Sequence, residues 1–235
     1  MFLFLKFYLG HLIADFILQF DELYALKVKS KLGHFFHVLI HFFIYLLVLL
    51  PYLKYPIIWI TITSVTTFHY FQDNIKYRLM NRAARKAFWC YTLDQVVHIA
   101  AIAVVLWIPV SHIPHGFPNH PTLNLYYLDN TWTILSSLFI WNTFGGSYLL
   151  HNYRKAYTPD FRPDYGITTF EMVHAMLERT AIAGLCLGAP SFYWLLAVPL
   201  VGLFRLSSEK LKSKLDFAFS LVWSILIGGL ARMWL

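Results

Sequence analysis

Charge is what this sequence has least of: only 13% of its 235 residues are Asp, Glu, Lys or Arg, against 58% that are hydrophobic and 19% that are aromatic. A water-soluble domain of this length cannot bury so much apolar surface, which excludes an ordinary cytosolic globule and makes lipid the natural solvent. Thiols are almost as scarce. Cys90 and Cys186 both fall in apolar stretches with no Cys-x-x-Cys spacing, which excludes a disulfide framework, a zinc finger and a thiolate-bound cluster. No low-complexity stretch or polar domain interrupts the chain. The formal charge of +7 sits in short blocks between apolar runs and forms no continuous basic face, so nucleic acid is not an expected partner.

Hydrophobic runs of membrane-spanning length predict an all-α polytopic membrane bundle with helices over residues 1–20, 34–53, 57–75, 88–110, 131–150, 167–188, 191–205 and 215–232. The seventh is short, bounded by Pro190 and Arg205, so the count is eight or seven. The first run lacks an Ala-x-Ala-like cleavage site and carries His11 and Asp15, so it reads as a mature helix and not a signal peptide. Loops 21–33, 76–87, 151–166 and 205–214 hold 15 of the 19 Lys and Arg residues, whereas loops 51–56, 111–130 and 189–191 hold only Lys54. By the positive-inside rule the first set is cytoplasmic. The Pro-rich stretch 111–130 then separates two four-helix halves, 1–110 and 131–235, and its His112, His115 and His120 read as ordinary loop residues.

Four His/Asp pairs stand out against the apolar background: His11/Asp15, His37/His41, His69/Asp73 and Asp94/His98. Each is spaced four residues apart in a different predicted helix, which puts both side chains on one face about 6 Å apart along the axis. Nineteen His and Asp residues scattered at random would give roughly one or two such pairs, and fewer where ionisable groups are costly. The order also follows helix direction: His precedes Asp where the helix descends to the cytoplasm, and Asp precedes His in the fourth helix, which ascends. Two layers result, with Asp15, His37, Asp73 and Asp94 nearer the cytoplasm and His11, His41, His69 and His98 one turn deeper. Imidazole with carboxylate and no thiolate suits one or two divalent ions of zinc, manganese or iron. The competing reading of any one pair is an interhelical hydrogen bond that holds the bundle together. His34, at the end of the same helix as His37, reads as a solvated loop-edge residue.

A second polar group lies in the sixth predicted helix, where Glu171, His174 and Glu178 share one face and Arg179 is placed to pair with Asp216 or to bind an anionic group. Asn142 and Ser147 add polar marks in the fifth, and Gly184-x-x-x-Gly188 reads as a helix-packing face.

The strings Gly10-His11-Leu12-Ile13-Ala14-Asp15-Phe16 with Gln19, His37-x-x-x-His41, Phe68-His69-x-x-x-Asp73-x-x-Lys76 and Asp94-Gln95-x-x-His98 resemble a bacterial inner-membrane family known as domain of unknown function 3307. The resemblance covers residues 8–100 and continues more loosely at Leu177-Glu178-Arg179. It implies the architecture and a multi-pass inner-membrane location but no reaction. A more distant similarity is to bacterial membrane proteins described as metal-dependent hydrolases.

These features together lead to the expectation of a metal-dependent membrane hydrolase whose site faces the cytoplasm. The metal ligands are drawn from His11, Asp15, His37, His41, His69, Asp73, Asp94 and His98. Asp15, Asp73, Asp94, Glu178 and Arg179 are the candidate catalytic residues, and the expected partners are the bilayer and an amphiphilic lipid or lipid-phosphate substrate, with an oligomer possible. A metal-ion or proton transporter is the alternative. A diiron oxidase is a third reading, suggested by His37-x-x-x-His41.

Overall fold

The computed structural model describes residues 1–80, 87–157, 169–188 and 211–235, and all regular structure among them is helical. The chain forms two compact units, Met1–Ser137 and Leu138–Leu235. In the first, α1 (Phe2–Leu12) runs into a π turn (Ile13–Ile17). It is followed by α2 (Asp21–Lys29), α3 (Lys31–Val48), α4 (Pro56–Met80), α5 (Ala87–Ala103), α6 (Pro121–Leu128) and the start of α7 (Asn130–Ile140). The second unit takes up the end of α7, a π turn (Trp141–Gly145), α8 (Gly146–Tyr157), α9 (Thr169–Gly188) and α10 (Leu211–Arg232).

Three stretches are long and apolar enough to cross a membrane: Lys31–Val48, Phe88–Trp107 and Lys214–Arg232. The sequence expectation of eight crossings is therefore only partly met. α1 is eleven residues long before its π turn. α4 has 25 residues, roughly 37 Å of helix, but Thr61, Thr63, Ser64, Thr66, Thr67, His69, Gln72 and Asp73 dilute its hydropathy. The expected seventh span, 191–205, lies outside the described residues, as do the basic positions 81–86 and much of the loops 151–166 and 205–214.

The first unit is inverted relative to a water-soluble bundle. Lys6, His11, Asp15, Lys27, His37, His41, His69, Asp73, Asp94 and His98 are buried, while Phe35, Phe43, Leu47, Phe68, Phe71, Ile75, Leu93 and Val96 face outward. Apolar side chains gain nothing by burial when lipid is the solvent, so polar groups take the interior. Along the bundle axis the interior changes character in steps of one turn. His11 gives way to Phe7 and Leu3 on α1, His41 to Tyr45 and Leu49 on α3, His69 to Val65 and Ile62 on α4, and His98 to Ile102 and Val105 on α5; these apolar residues form one core cluster.

The segment expected as a loop over 21–33 is largely helical. Ser30 makes the junction compact: its hydroxyl caps α3 by accepting from the Gly33 amide at 3.0 Å and donates to the Leu26 carbonyl at 3.1 Å. Glycine is required at 33, since a Cβ there would lie 2.3 Å from the Leu26 carbonyl group. His34 differs from expectation as well. It is buried, its Nδ1 lies 3.2 Å from the Ser30 carbonyl, and its ring packs T-shaped with that of Tyr77, centroids 5.2 Å apart, because α2 covers the end of α3 that would otherwise be open.

Candidate metal centre

The four pairs converge. α1, α3, α4 and α5 each turn their polar face inward, and all eight side chains are buried. Asp15 is the hub. Its Oδ1 lies 3.0 Å from His37 Nε2, 3.3 Å from His41 Nε2 and 3.7 Å from His69 Nε2, and its Oδ2 lies 3.5 Å from His11 Nε2. The π turn that carries Asp15 widens the helix at this point, with Leu18 N–H reaching back to the Ile13 carbonyl; such turns are rare and concentrate at functional sites. Nothing in the sequence signalled it.

Three groups have donors close enough to share a cation: Asp15, His37, His41 and His69; His11, Asp15 and His98; and His69, Asp73 and His98. The first is the most complete. A tetrahedral ion with nitrogen and oxygen ligands at 2.0–2.1 Å has ligand-to-ligand edges of roughly 3.3 Å. The observed edges from Asp15 Oδ1 to His37, His41 and His69 Nε2, 3.0, 3.3 and 3.7 Å, and from His37 Nε2 to His69 Nε2, 3.1 Å, bracket that spacing. His37 Nε2 and His69 Nε2, 3.1 Å apart, can share a proton as donor and acceptor or, with Asp15 Oδ1 beside them, a cation.

Asp73 and Asp94 are placed differently from Asp15. Lys27 Nζ, from α2, lies 2.6 Å from Asp73 Oδ2, and Lys76 Nζ lies 2.6 Å from Asp94 Oδ2 and 3.4 Å from Asp73 Oδ1. Gln72 donates to the Asp94 carbonyl and carboxylate, and Gln95 to its other oxygen. Asp94 belongs to none of the three cation groups, and Asp73 shares its group's His69 with the tetrahedral set. Buried carboxylates with this many partners are held as ion pairs.

Sequence reasoning missed both lysines as members of the centre. Lys76 was present in the Asp73-x-x-Lys76 string, one turn from Asp73, but read as a loop charge. Lys27 is fully enclosed, and Gln19 accepts from it at 2.7 Å; only the packing of α2 on α3 places it there. A third buried lysine, Lys6, donates to Thr133 at 2.5 Å and lies over the rings of Tyr127 and Phe2 at 4.5 and 4.9 Å. Its signal was legible: a lone cation in an apolar run.

Glu178 and Arg179 lie in the second unit and are buried. Of the two roles expected for Arg179, pairing with Asp216 or binding an anionic group, the first is not formed, because Asp216 is taken by Arg154. The Arg179 guanidinium instead donates to the Thr143 carbonyl at 2.7 Å and to the Ser147 hydroxyl, while Asn142 donates to the Arg179 carbonyl at 2.9 Å. Thr143 lies in the second π turn, and its carbonyl also accepts from the Gly146 amide and, at 3.0 Å, from the Ser147 hydroxyl. His174 Nδ1 stands 3.9 Å from Glu178, and the Glu171 side chain lies outside the described residues. Nothing described approaches within 4 Å of a Cβ built at Gly184 or Gly188, so the expected packing face is not formed among the described residues. The close approach of α9 and α10 is at Gly228, where a Cβ would lie 2.8 Å from that of Cys186.

Neither a curated protein nor a solved structure matches the chain. A family model described as protein of unknown function (DUF3307) matches residues 3–124, a span that takes in every member of the His/Asp centre together with Lys27 and Lys76, and the chain belongs to that family.

Proposed function

We propose that the protein is an integral membrane metal-dependent hydrolase of the bacterial inner membrane, acting on an amphiphilic substrate at the cytoplasmic leaflet. The observation that carries this reading is the convergence of Asp15, His37, His41 and His69, with ligand atoms all within 4.8 Å of one another, in a buried interior. The His/Asp centre would hold one or two divalent ions of zinc, manganese or iron, and an ion there with a coordination position left to water would lower the pKa of that water and make hydroxide available at neutral pH. Hydrolysis would join the oxygen of that water to the phosphoryl or acyl centre and break the bond to the leaving group, which would depart with the proton the water released.

α1 with its π turn, α3, α4 and α5 are read as four crossing helices, with Lys27, Lys76 and the basic segment 81–86 toward the cytoplasm. The centre then lies near that leaflet, where the polar group of a phospholipid, an isoprenoid phosphate or a membrane peptide resides. A transporter needs a path that continues across the bilayer. The stacked layers of Phe7, Tyr45, Val65 and Ile102 and of Leu3, Leu49, Ile62 and Val105 make the continuation mostly apolar, with Lys6, Thr61, Thr66 and Thr133 its buried polar residues, which favours a blind site.

Elemental analysis of the purified protein tests the reading first. Stoichiometric metal is expected in the wild type and its loss in His41→Ala, and a metal-free wild type sinks the proposal. Incubation of the loaded protein with a lipid and peptide panel separates the two functions: the hydrolase gives product, whereas the transporter gives ion flux in liposomes and no product.

A further inference from the structure

Asp15 has two oxygens, and the tetrahedral set uses one. Oδ1 faces His37, His41 and His69, while Oδ2 is turned toward His11, whose Nε2 lies 3.5 Å away. Beside His11 stands His98, with ring centroids 4.7 Å apart. His98 is 3% exposed, and both of its ring nitrogens are buried without a hydrogen-bond partner; His11 Nε2, in a residue 1% exposed, has none either. The nearest carboxylate to His98, Asp94, is 3.7 Å from its Nδ1 and already engaged by Lys76 at 2.6 Å. Leaving a buried donor or acceptor unmet is costly, so the unmet His11 Nε2 and His98 nitrogens, in a group whose ligand atoms lie within 4.8 Å of one another and include an Asp15 oxygen, require an explanation in the site itself.

We infer that a second divalent cation sits between His11, His98 and Asp15 Oδ2, that Asp15 bridges it to the first, and that this second position is the reactive one, taking a phosphate ester. The inference rests on the hydrolase reading above and deepens it. The set of three histidines with Asp15 Oδ1 provides four protein ligands, the closed arrangement of a structural ion, whereas His11, His98 and Asp15 Oδ2 provide three and leave a position open for water or substrate. A bridging carboxylate suits two ions about 3.5–4 Å apart, the spacing that clamps the attacking and leaving oxygens of a phosphoryl group.

Charge selects the substrate class. With neutral imidazoles, Asp15, Asp73 and Asp94 against Lys27 and Lys76 leave one net negative charge in the enclosed centre. One divalent ion reverses that to a single positive charge, which one hydroxide neutralises. Two ions leave three positive charges, and a buried site of that sign requires an anionic substrate in addition to hydroxide. A phosphate mono- or diester supplies it, and a neutral acyl ester or peptide does not. In the step itself, a water oxygen bonds to phosphorus, the bond from phosphorus to the lipid alcohol oxygen breaks, and that oxygen leaves with the proton water gave up.

The test is titration of the metal-stripped, detergent-solubilised full chain with Mn²⁺, read by elemental analysis and electron paramagnetic resonance, before and after adding inorganic phosphate. Two Mn²⁺ per chain with an exchange-coupled spectrum are expected for the wild type. One Mn²⁺ with an isolated-ion spectrum is expected for His98→Ala and for His11→Ala, each checked for helical content. Phosphate is expected to perturb the wild-type spectrum at least tenfold more strongly than that of His98→Ala. A wild type that saturates at one ion overturns the inference whether or not the variants fold, and leaves the single-metal hydrolase standing; no bound metal overturns both. Two ions with a spectrum indifferent to phosphate, and cleavage of acyl esters in place of phosphate esters, overturn the assigned substrate class.

Discussion

Replacing Lys27 with Met isolates the role of the helix that closes the centre. Lys27 and Asp73 expose 1% and 0% of their side-chain surface and sit 2.6 Å apart. Methionine keeps most of the aliphatic stem and removes the ammonium, leaving Asp73 dependent on Lys76, which lies 3.4 Å away and is held closer by Asp94. Removing one member of a buried pair costs about 3–5 kcal/mol, because the remaining charge is uncompensated. The partial cover from Lys76 puts the loss at the low end, about 3 kcal/mol, or a fall of roughly 6–12 °C in unfolding midpoint for a chain of this size. Lys27→Met combined with Asp73→Asn removes both charges and should recover most of the loss, a coupling of about 2 kcal/mol. Thermal unfolding in detergent with a chelator present, followed by tryptophan fluorescence, measures all four corners of the cycle without interference from bound metal. A single variant within 1 kcal/mol of wild type, or a double variant as unstable as the two singles added together, refutes the claim that this ion pair holds α2 on the bundle.

Gly33→Ala should lift the same helix by a different route, since the new methyl group overlaps the Leu26 carbonyl group; protease cleavage within residues 21–30 is expected to accelerate, and unchanged cleavage contradicts the packing. Asp15→Asn keeps the size of the hub and removes its charge, so divalent-metal affinity measured by calorimetry should fall by more than about a hundredfold. In the second unit, Gly228→Val is expected to cost about 1–3 kcal/mol by overpacking against Cys186 and Ala183. Gly184→Ala, with no described atom in reach, is expected to stabilise by about 0.5–1 kcal/mol through helix propensity, and equal effects at the two glycines would contradict the α9–α10 contact.

The sequence by itself determined the helices and the faces that matter. Period and length marked α9 and α10 to within four residues, and placed α3, α4 and α5 with their C-terminal ends off by five to seven residues, because an apolar run in lipid must satisfy its own backbone and a helix is the local way to do so. The i, i+4 spacing of the His/Asp pairs assigned each pair to one face, since that is a property of a single helix. Whether those faces meet is a property of several. Only tertiary packing decided that Asp15 is the hub while Asp73 and Asp94 go to lysines. The same packing turned 21–29 into a helix bearing a buried cation, enclosed His34, and gave Asp216 to Arg154 in place of Arg179. Spacing along a chain fixes direction and depth within one helix, but a carboxylate's partner depends on which neighbouring helix comes within 3–4 Å, and that is set by how glycines such as Gly33 and Gly228 and the two π turns let the helices approach.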